Sequence, residues 1–159
     1  NYKSHDVLGV EIGGALKNII AFCCGIVAEL GLGTNASSAI ITRGLAEIAR
    51  LGVEMGASKD TFYGLSGLGD LILTCSSDES RNRRAGRLIG KGLSIDEIKK
   101  EIGMTIESID NIEIAHRLAE KYNVEMPIVN SVYDVIFNNK PMTDVSNSLM
   151  TRTIKFENE

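Results

Sequence analysis

Chemistry in this chain starts with Lys17, a lone cation in an apolar stretch. The segment reads Gly13-Gly14-Ala15-Leu16-Lys17-Asn18-Ile19-Ile20-Ala21-Phe22, and from Leu8 to Leu32 the only charged residues are Glu11, Lys17 and Glu29. An ammonium with so little polar surface nearby is expected to lose part of its hydration. Burial disfavours the charged form of a lysine and can turn the amine into a proton acceptor near neutral pH. The competing reading is a lysine whose head snorkels to water from a helix edge.

A second group of residues suits an anion. The stretch Asp78-Glu79-Ser80-Arg81-Asn82-Arg83-Arg84-Ala85-Gly86-Arg87 opens a run of five basic residues between Arg81 and Lys91 with no acid among them. Cations in the first turn of a helix oppose its dipole by about a few tenths of a kcal/mol. Exposed backbone N–H groups with arginine forks make a phosphate site, which would offset that cost. A solvated basic face is the alternative. Gly67-Leu68-Gly69-Asp70-Leu71-Ile72-Leu73-Thr74-Cys75 adds one carboxylate, Asp70, between glycines and an apolar run. Glycines let backbone approach a ligand closely. Taken locally, Asp70 also reads as an N-cap.

Other motifs are weaker. Gly31-Leu32-Gly33-Thr34-Asn35-Ala36 fits the dinucleotide pattern G-x-G-x-x-A, with Glu54 about 20 residues on, but a helical pattern leads into it where a strand is required. A helix–helix turn is the better reading. His5 and His116 have no metal or nucleophile partner by spacing and read as surface residues. Cys23, Cys24 and Cys75 form no C-x-x-C or His/Cys ligand spacing. They read as reduced thiols of a cytoplasmic protein, with Cys23 and Cys24 as small core residues, and no metal is expected.

These side chains must be held by helices. Apolar residues recur at helical spacing almost throughout, and no alternating run marks a strand, so the fold class is all-α. One helix is expected from about Val10 to Leu30, stopped by Gly31. A second runs from Thr34-Asn35, as N-cap residues, to Met55, stopped by Gly56. Asp60 caps a short turn through Tyr63, and Gly64–Asp70 reads as a glycine-rich loop. Further helices start near Ser80, at the Ser94-Ile95-Asp96-Glu97 capping box, over Glu107–Tyr122, at Pro127 and at Pro141. The box helix ends at Gly103.

The 159 residues fit one domain, 1–159, and the 43% hydrophobic and 24% charged content is ordinary for a globular protein. A net charge of −4 argues against a chain-wide nucleic-acid surface. The uncharged stretch Asn18–Ala28 has 11 residues, short of the roughly 20 that cross a bilayer, so no membrane span is expected. The absence of an initial Met suggests a piece of a longer protein.

Three motifs in order, G-G-A-L-K-N at 13–18, G-L-G-D-L-I-L-T-C at 67–75 and S-R-N-R-R at 80–84, closely resemble the C-terminal domain of bacterial NAD(P)-dependent glycerol-3-phosphate dehydrogenases. The resemblance continues through Ile41-Thr42-Arg43-Gly44-Leu45-Ala46-Glu47 and Val124-Glu125-Met126-Pro127-Ile128, over essentially the whole chain. It implies a helical substrate-binding domain of the 6-phosphogluconate dehydrogenase-like kind. A Rossmann domain that binds NAD or NADP would lie outside this chain. It further implies interconversion of sn-glycerol 3-phosphate and dihydroxyacetone phosphate, a role in phospholipid synthesis, and a homodimer, for which the first helix has apolar surface to spare.

Carried over by motif, Lys17 is the proton acceptor, with Asp70 and Thr74 as polar partners around it and the substrate. Ser80, Arg81 and Asn82 contact the substrate phosphate, and Arg81 also reaches the cofactor. Thr105 and Glu107 match cofactor-touching positions, although Met104-Thr105-Ile106-Glu107-Ser108 departs from the usual valine-rich, glycine-ending form. The chain alone is expected to be inactive. The alternative from another class is a stand-alone helical module that oligomerises or binds an anion through S-R-N-R-R. A third reading is a different dehydrogenase built on the same helical plan.

Overall fold

A computed structural model describes residues 5–150, and all regular structure within them is helical. The order is α1 (Val7–Glu29), α2 (Gly33–Glu54), α3 (Lys59–Tyr63), a single π-helical turn (Leu65–Gly69), α4 (Asp70–Ser76), α5 (Arg81–Gly90), α6 (Ile95–Ile102), α7 (Glu107–Tyr122), α8 (Pro127–Phe137) and α9 (Met142–Met150). Both ends of the expected 1–159 domain lie outside the described residues.

The hub is α1. From Asn18 to Val27 every residue is buried, because a helix apolar on all sides must be surrounded. Helices α2, α4, α5 and α7 surround it. By length and composition α1 could cross a membrane, and here it is the core helix instead. The apolar side chains that this packing leaves exposed on α1 are Val7, Leu8, Val10 and, at its end, Leu30. The closest approach is between α1 and α5. A Cβ on Gly25 would overlap the Arg83 carbonyl, and one on Gly86 would overlap the Phe22 carbonyl.

Helix ends follow the sequence in most places. Gly103 closes α6 in the left-handed region at φ 65°, a conformation open to glycine without a steric penalty. Pro127 opens α8, and Glu47 of α2 completes that start. Its carboxylate, 2% exposed, accepts from the N–H of Ile128 at 2.9 Å and of Val129 at 3.4 Å. The segments 41–47 and 124–128 are thus joined as scaffold.

Five expectations are corrected. Helix α1 begins at Val7, because Asp6 caps it through the Gly9 N–H at 2.9 Å and also holds Ser58 N and Thr61 Oγ1. These bonds hold the Asp6 carboxyl below the usual carboxylate range. Helix α2 begins at Gly33 with no side-chain cap, so Thr34 and Asn35 lie inside its first turn. The segment from Leu65 to Gly69 is a π turn and not a loop, and Asp60 lies within α3, whose cap position is Ser58. His116 is half-buried and stacked on Tyr133, ring centroids 3.8 Å apart, with Nδ1 2.9 Å from Asn130 Oδ1.

Candidate functional site

Lys17 and Asn18 sit side by side where the fully buried part of α1 begins. Lys17 Nζ donates to Asp70 Oδ2 across the contact between α1 and α4. The Lys17 side chain is 23% exposed and that of Asp70 40%, so the pair lies on a rim that a small solute can reach. This corrects the picture of an isolated ammonium: a carboxylate 53 residues away in sequence meets it. It also settles the local ambiguity at Asp70. Helix α4 starts at Asp70 without a side-chain cap, and the carboxylate is committed to Lys17. Thr74, one turn on, donates its hydroxyl to the Asp70 carbonyl at 2.7 Å, which leaves the hydroxyl oxygen able to accept.

Asn18 is a residue that the sequence reading left without a role. It is 6% exposed, and its Nδ2 donates to Glu107 Oε2 at 2.7 Å. The available signal was a second polar residue directly after Lys17 in an apolar helix. At the same end of α7 the Ser108 N–H donates to Asn82 Oδ1 at 2.9 Å. These contacts tie α4 to α1, α1 to the start of α7, and α7 to the start of α5. The expected site residues Lys17, Asp70, Thr74, Asn82 and Glu107 therefore belong to one connected region. Thr105 is exposed just ahead of α7 and makes no hydrogen bond among the described residues.

At the α5 start, Ser80 Oγ accepts from Arg83 N at 3.3 Å and the Ser80 carbonyl accepts from Arg84 N at 2.9 Å. The N–H groups of Arg81 and Asn82 precede these bonds and have no partner among the described residues. Such orphan donors are what an anion finds at a helix N-terminus. The basic run is not uniform, however. Arg83 pairs with Asp78, and Arg87 lies 3.4 Å from the same carboxylate. Among the described residues Arg81 and Arg84 have no ion-pair partner, and of these Arg81 is half-buried and Arg84 exposed.

A dinucleotide needs a strand, a glycine turn and a helix. The described residues contain no strand, and Gly31 and Gly33, at φ 68° and 83°, make a turn between two helices. The residues present therefore do not form a cradle for NAD or NADP. No group of His, Cys, Asp and Glu among the described residues is arranged to hold a metal ion. A separate cleft of about 800 Å³ lies between α2, α3 and the Tyr122–Glu125 turn, lined by Arg50, Glu54, Lys59, Tyr63 and Tyr122. No residue of the Lys17 region lines it.

Fold and residues place the chain in a family. It belongs to the family described as NAD-dependent glycerol-3-phosphate dehydrogenase C-terminus, matched over residues 6–147. It is 54% identical over 158 residues to the glycerol-3-phosphate dehydrogenase (NAD(P)+) of Bacillus cereus strain AH187, covering 99% of this chain and 46% of that protein. The same enzyme of Halalkalibacterium halodurans is also 54% identical, with the same coverage. The crystal structure of glycerol-3-phosphate dehydrogenase from Coxiella burnetii matches with a TM-score of 0.92 at 42% identity, over 95% of this chain and 46% of that one. The Saccharomyces cerevisiae enzyme matches at 0.81 and 35%, over 92% of this chain and 43% of that one. The chain spans about half the length of these relatives.

Proposed function

We propose that this chain is the substrate-binding half of a dehydrogenase that interconverts sn-glycerol 3-phosphate and dihydroxyacetone phosphate with NAD(P). In this reading residues 1–159 form one domain, and a dinucleotide-binding domain holds most of the cofactor. The observation that carries the proposal is the Lys17–Asp70 pair, linked by the Asn18–Glu107 and Ser108–Asn82 bonds to the start of α5. Family membership supports the substrate.

Oxidising a secondary alcohol removes a hydride from carbon and a proton from oxygen. The nicotinamide, when bound, supplies the hydride acceptor. Lys17, as the neutral amine, takes the hydroxyl proton, and as the ammonium it returns a proton in the reverse direction. Asp70 stabilises the ammonium that forms, a charge fixed in advance where charge develops. Thr74 Oγ1 offers an acceptor to the substrate beside this pair. Ser80, Arg81 and Asn82 anchor the phosphate, and the anchor holds the reacting carbon in reach of Lys17. Arg81, Thr105 and Glu107 face the cofactor edge. An anion-binding module without catalysis would use Arg81 and leave the Lys17–Asp70 pair without a task.

The test is titration of the chain with glycerol 3-phosphate, followed by amide NMR and by a hydride-transfer assay. We expect shifts centred on Arg81 and Asn82 and extending to Lys17, with no turnover by the isolated chain. Shifts confined elsewhere would contradict the anchor, and measurable hydride transfer by the 159 residues would contradict the division of labour.

A further inference from the structure

Helix α7 has no side-chain cap of its own, since Ile106 holds the cap position. The N–H of Ser108, in its first turn, donates instead to Asn82 Oδ1 of α5 at 2.9 Å. A buried N–H without a partner is costly, so α7 gains by this bond. Ser108 is completely buried, and water does not compete for it. The Ser108 Oγ has no hydrogen-bond partner, which leaves the backbone N–H as the polar link from this residue to α5.

Asn82 gains a fixed orientation in return. One limb of its amide accepts and the other donates twice, and only their partners tell the two apart. A backbone N–H can only donate, so the limb facing Ser108 is the carbonyl oxygen. The Nδ2 limb is left over. It makes no hydrogen bond among the described residues, and it is not sealed inside the protein either. The buried side-chain nitrogens and oxygens without a partner are Arg83 Nε and Ser108 Oγ, so Asn82 Nδ2 reaches solvent. It belongs to the same first turn of α5 as the unpartnered N–H groups of Arg81 and Asn82.

We propose that Ser108 is a positioning residue for the phosphate anchor: its N–H holds the Asn82 oxygen and so gives the donor limb of that amide to the anion. The inference rests on the phosphate site proposed above and adds what orients it. The oxygens of a phosphate dianion accept hydrogen bonds, and donors to a charged oxygen form the stronger class of bond. An Asn82 turned oxygen-first would set two acceptors against each other. Turned the way Ser108 requires, it adds two donors to those of the α5 start. The neighbouring residue extends the arrangement, because Glu107 Oε2 takes Asn18 Nδ2 of α1 at 2.7 Å. Two successive residues of α7 therefore tie the helix that carries Lys17 to the helix that carries the anchor.

The experiment follows backbone and side-chain N–H signals by NMR while the isotope-labelled chain is titrated with inorganic phosphate, alongside Asn82→Asp and Asn82→Ala. Asn82→Asp keeps an acceptor for the Ser108 N–H and removes the donors; Asn82→Ala removes both. In the wild-type chain we expect the Asn82 side-chain signals to move together with the Arg81 amide, and the Ser108 N–H to exchange slowly. Asn82→Asp should keep that slow exchange and lose phosphate affinity by about tenfold or more, the loss expected for a hydrogen bond to a charged group. Asn82→Ala should speed Ser108 exchange and weaken phosphate binding as well. A role for Asn82 in capping α7 alone would leave the phosphate affinity of Asn82→Asp unchanged, and that result would overturn the proposal. So would equally fast Ser108 exchange in the two variants, or phosphate shifts at Arg81 with the Asn82 side-chain signals still. Silence at both residues would overturn the phosphate anchor itself and this inference with it. Ser108→Pro, which lacks the N–H, should weaken the Asn82 response; if it fails to fold, the two Asn82 variants decide.

Discussion

Helices α5 and α6 both start on a serine, and the two starts are built to opposite ends. At α6, Ser94 Oγ accepts from Glu97 N at 3.3 Å and Glu97 Oε2 accepts from Ser94 N at 2.7 Å. Asp96 and Glu97 occupy the first turn, and Lys99 and Lys100 the last, the arrangement that the helix dipole favours. The two Ser94 bonds hold the Glu97 carboxyl below the usual carboxylate range. At α5, Ser80 caps in the same way, but Arg81, Arg83 and Arg84 crowd the first turn and no acid joins them. Asp78, outside the helix, draws off Arg83 and Arg87. Arg81 and the two N–H groups at its end are left over. One start is satisfied within the chain; the other is complementary to an anion from outside it.

That contrast can be broken at several points. The largest effect is expected where α5 is docked. Gly86→Ala would drive a Cβ into the Phe22 carbonyl, and overpacking of this kind costs about 3 kcal/mol or more when backbone must move. Gly14→Ala, in α1 with nothing within 4 Å of the new Cβ, should instead gain about 0.5–1 kcal/mol. Urea denaturation of the two variants checks both signs.

Next is the anion anchor. In a full-length enzyme carrying this chain, Arg81→Ala should raise KM for glycerol 3-phosphate by roughly 10- to 100-fold, the value of a lost charged hydrogen bond of about 1.5–3 kcal/mol. Arg84→Ala, on the exposed side, should change it little. Equal effects would make the α5 start a general basic face. Smaller still is the loss of a cap. Ser94→Ala and Ser80→Ala should each cost about 1 kcal/mol of stability, while only Ser80→Ala also weakens glycerol 3-phosphate binding in a calorimetric titration.

The smallest effect concerns pH. The folded carboxyl of Glu97 titrates lower than its unfolded value of about 4.3. Its contribution is therefore full above that value and is lost as pH falls through the lower, folded one. Glu97→Gln should flatten this acid limb, read as amide exchange in Ile98–Ile102 against pH. An unchanged acid limb would remove the capping carboxylate from the explanation of α6.

What the sequence made legible was local. The Ser94 box, the Gly103 stop, Pro127 at the head of α8 and the span Glu107–Tyr122 depend on neighbours within a turn or two, and they appear where the residues place them. What it hid was either long-range or a question of backbone detail. Lys17 reads as isolated because Asp70 lies 53 positions on, and Asn18 reads as incidental because Glu107 is 89 positions on. Glu47 passes for an ordinary helix residue until α8 docks its N-terminus on the carboxylate. The π turn at Leu65–Gly69 resembles a loop in sequence, since the three glycines at 64, 67 and 69 give no helical period. The residue types of the candidate site were visible through motif resemblance. Their hydrogen-bonded connections required the fold.

The most direct measurement is turnover of Lys17→Met in a full-length enzyme carrying this chain. A positioned acid or base is worth roughly 10²- to 10⁴-fold in rate. We predict a fall in kcat within that range. Stability of the domain should change by less than about 1 kcal/mol, because a half-exposed ion pair adds little to folding. Near-normal kcat would contradict the assignment of Lys17 as the proton acceptor.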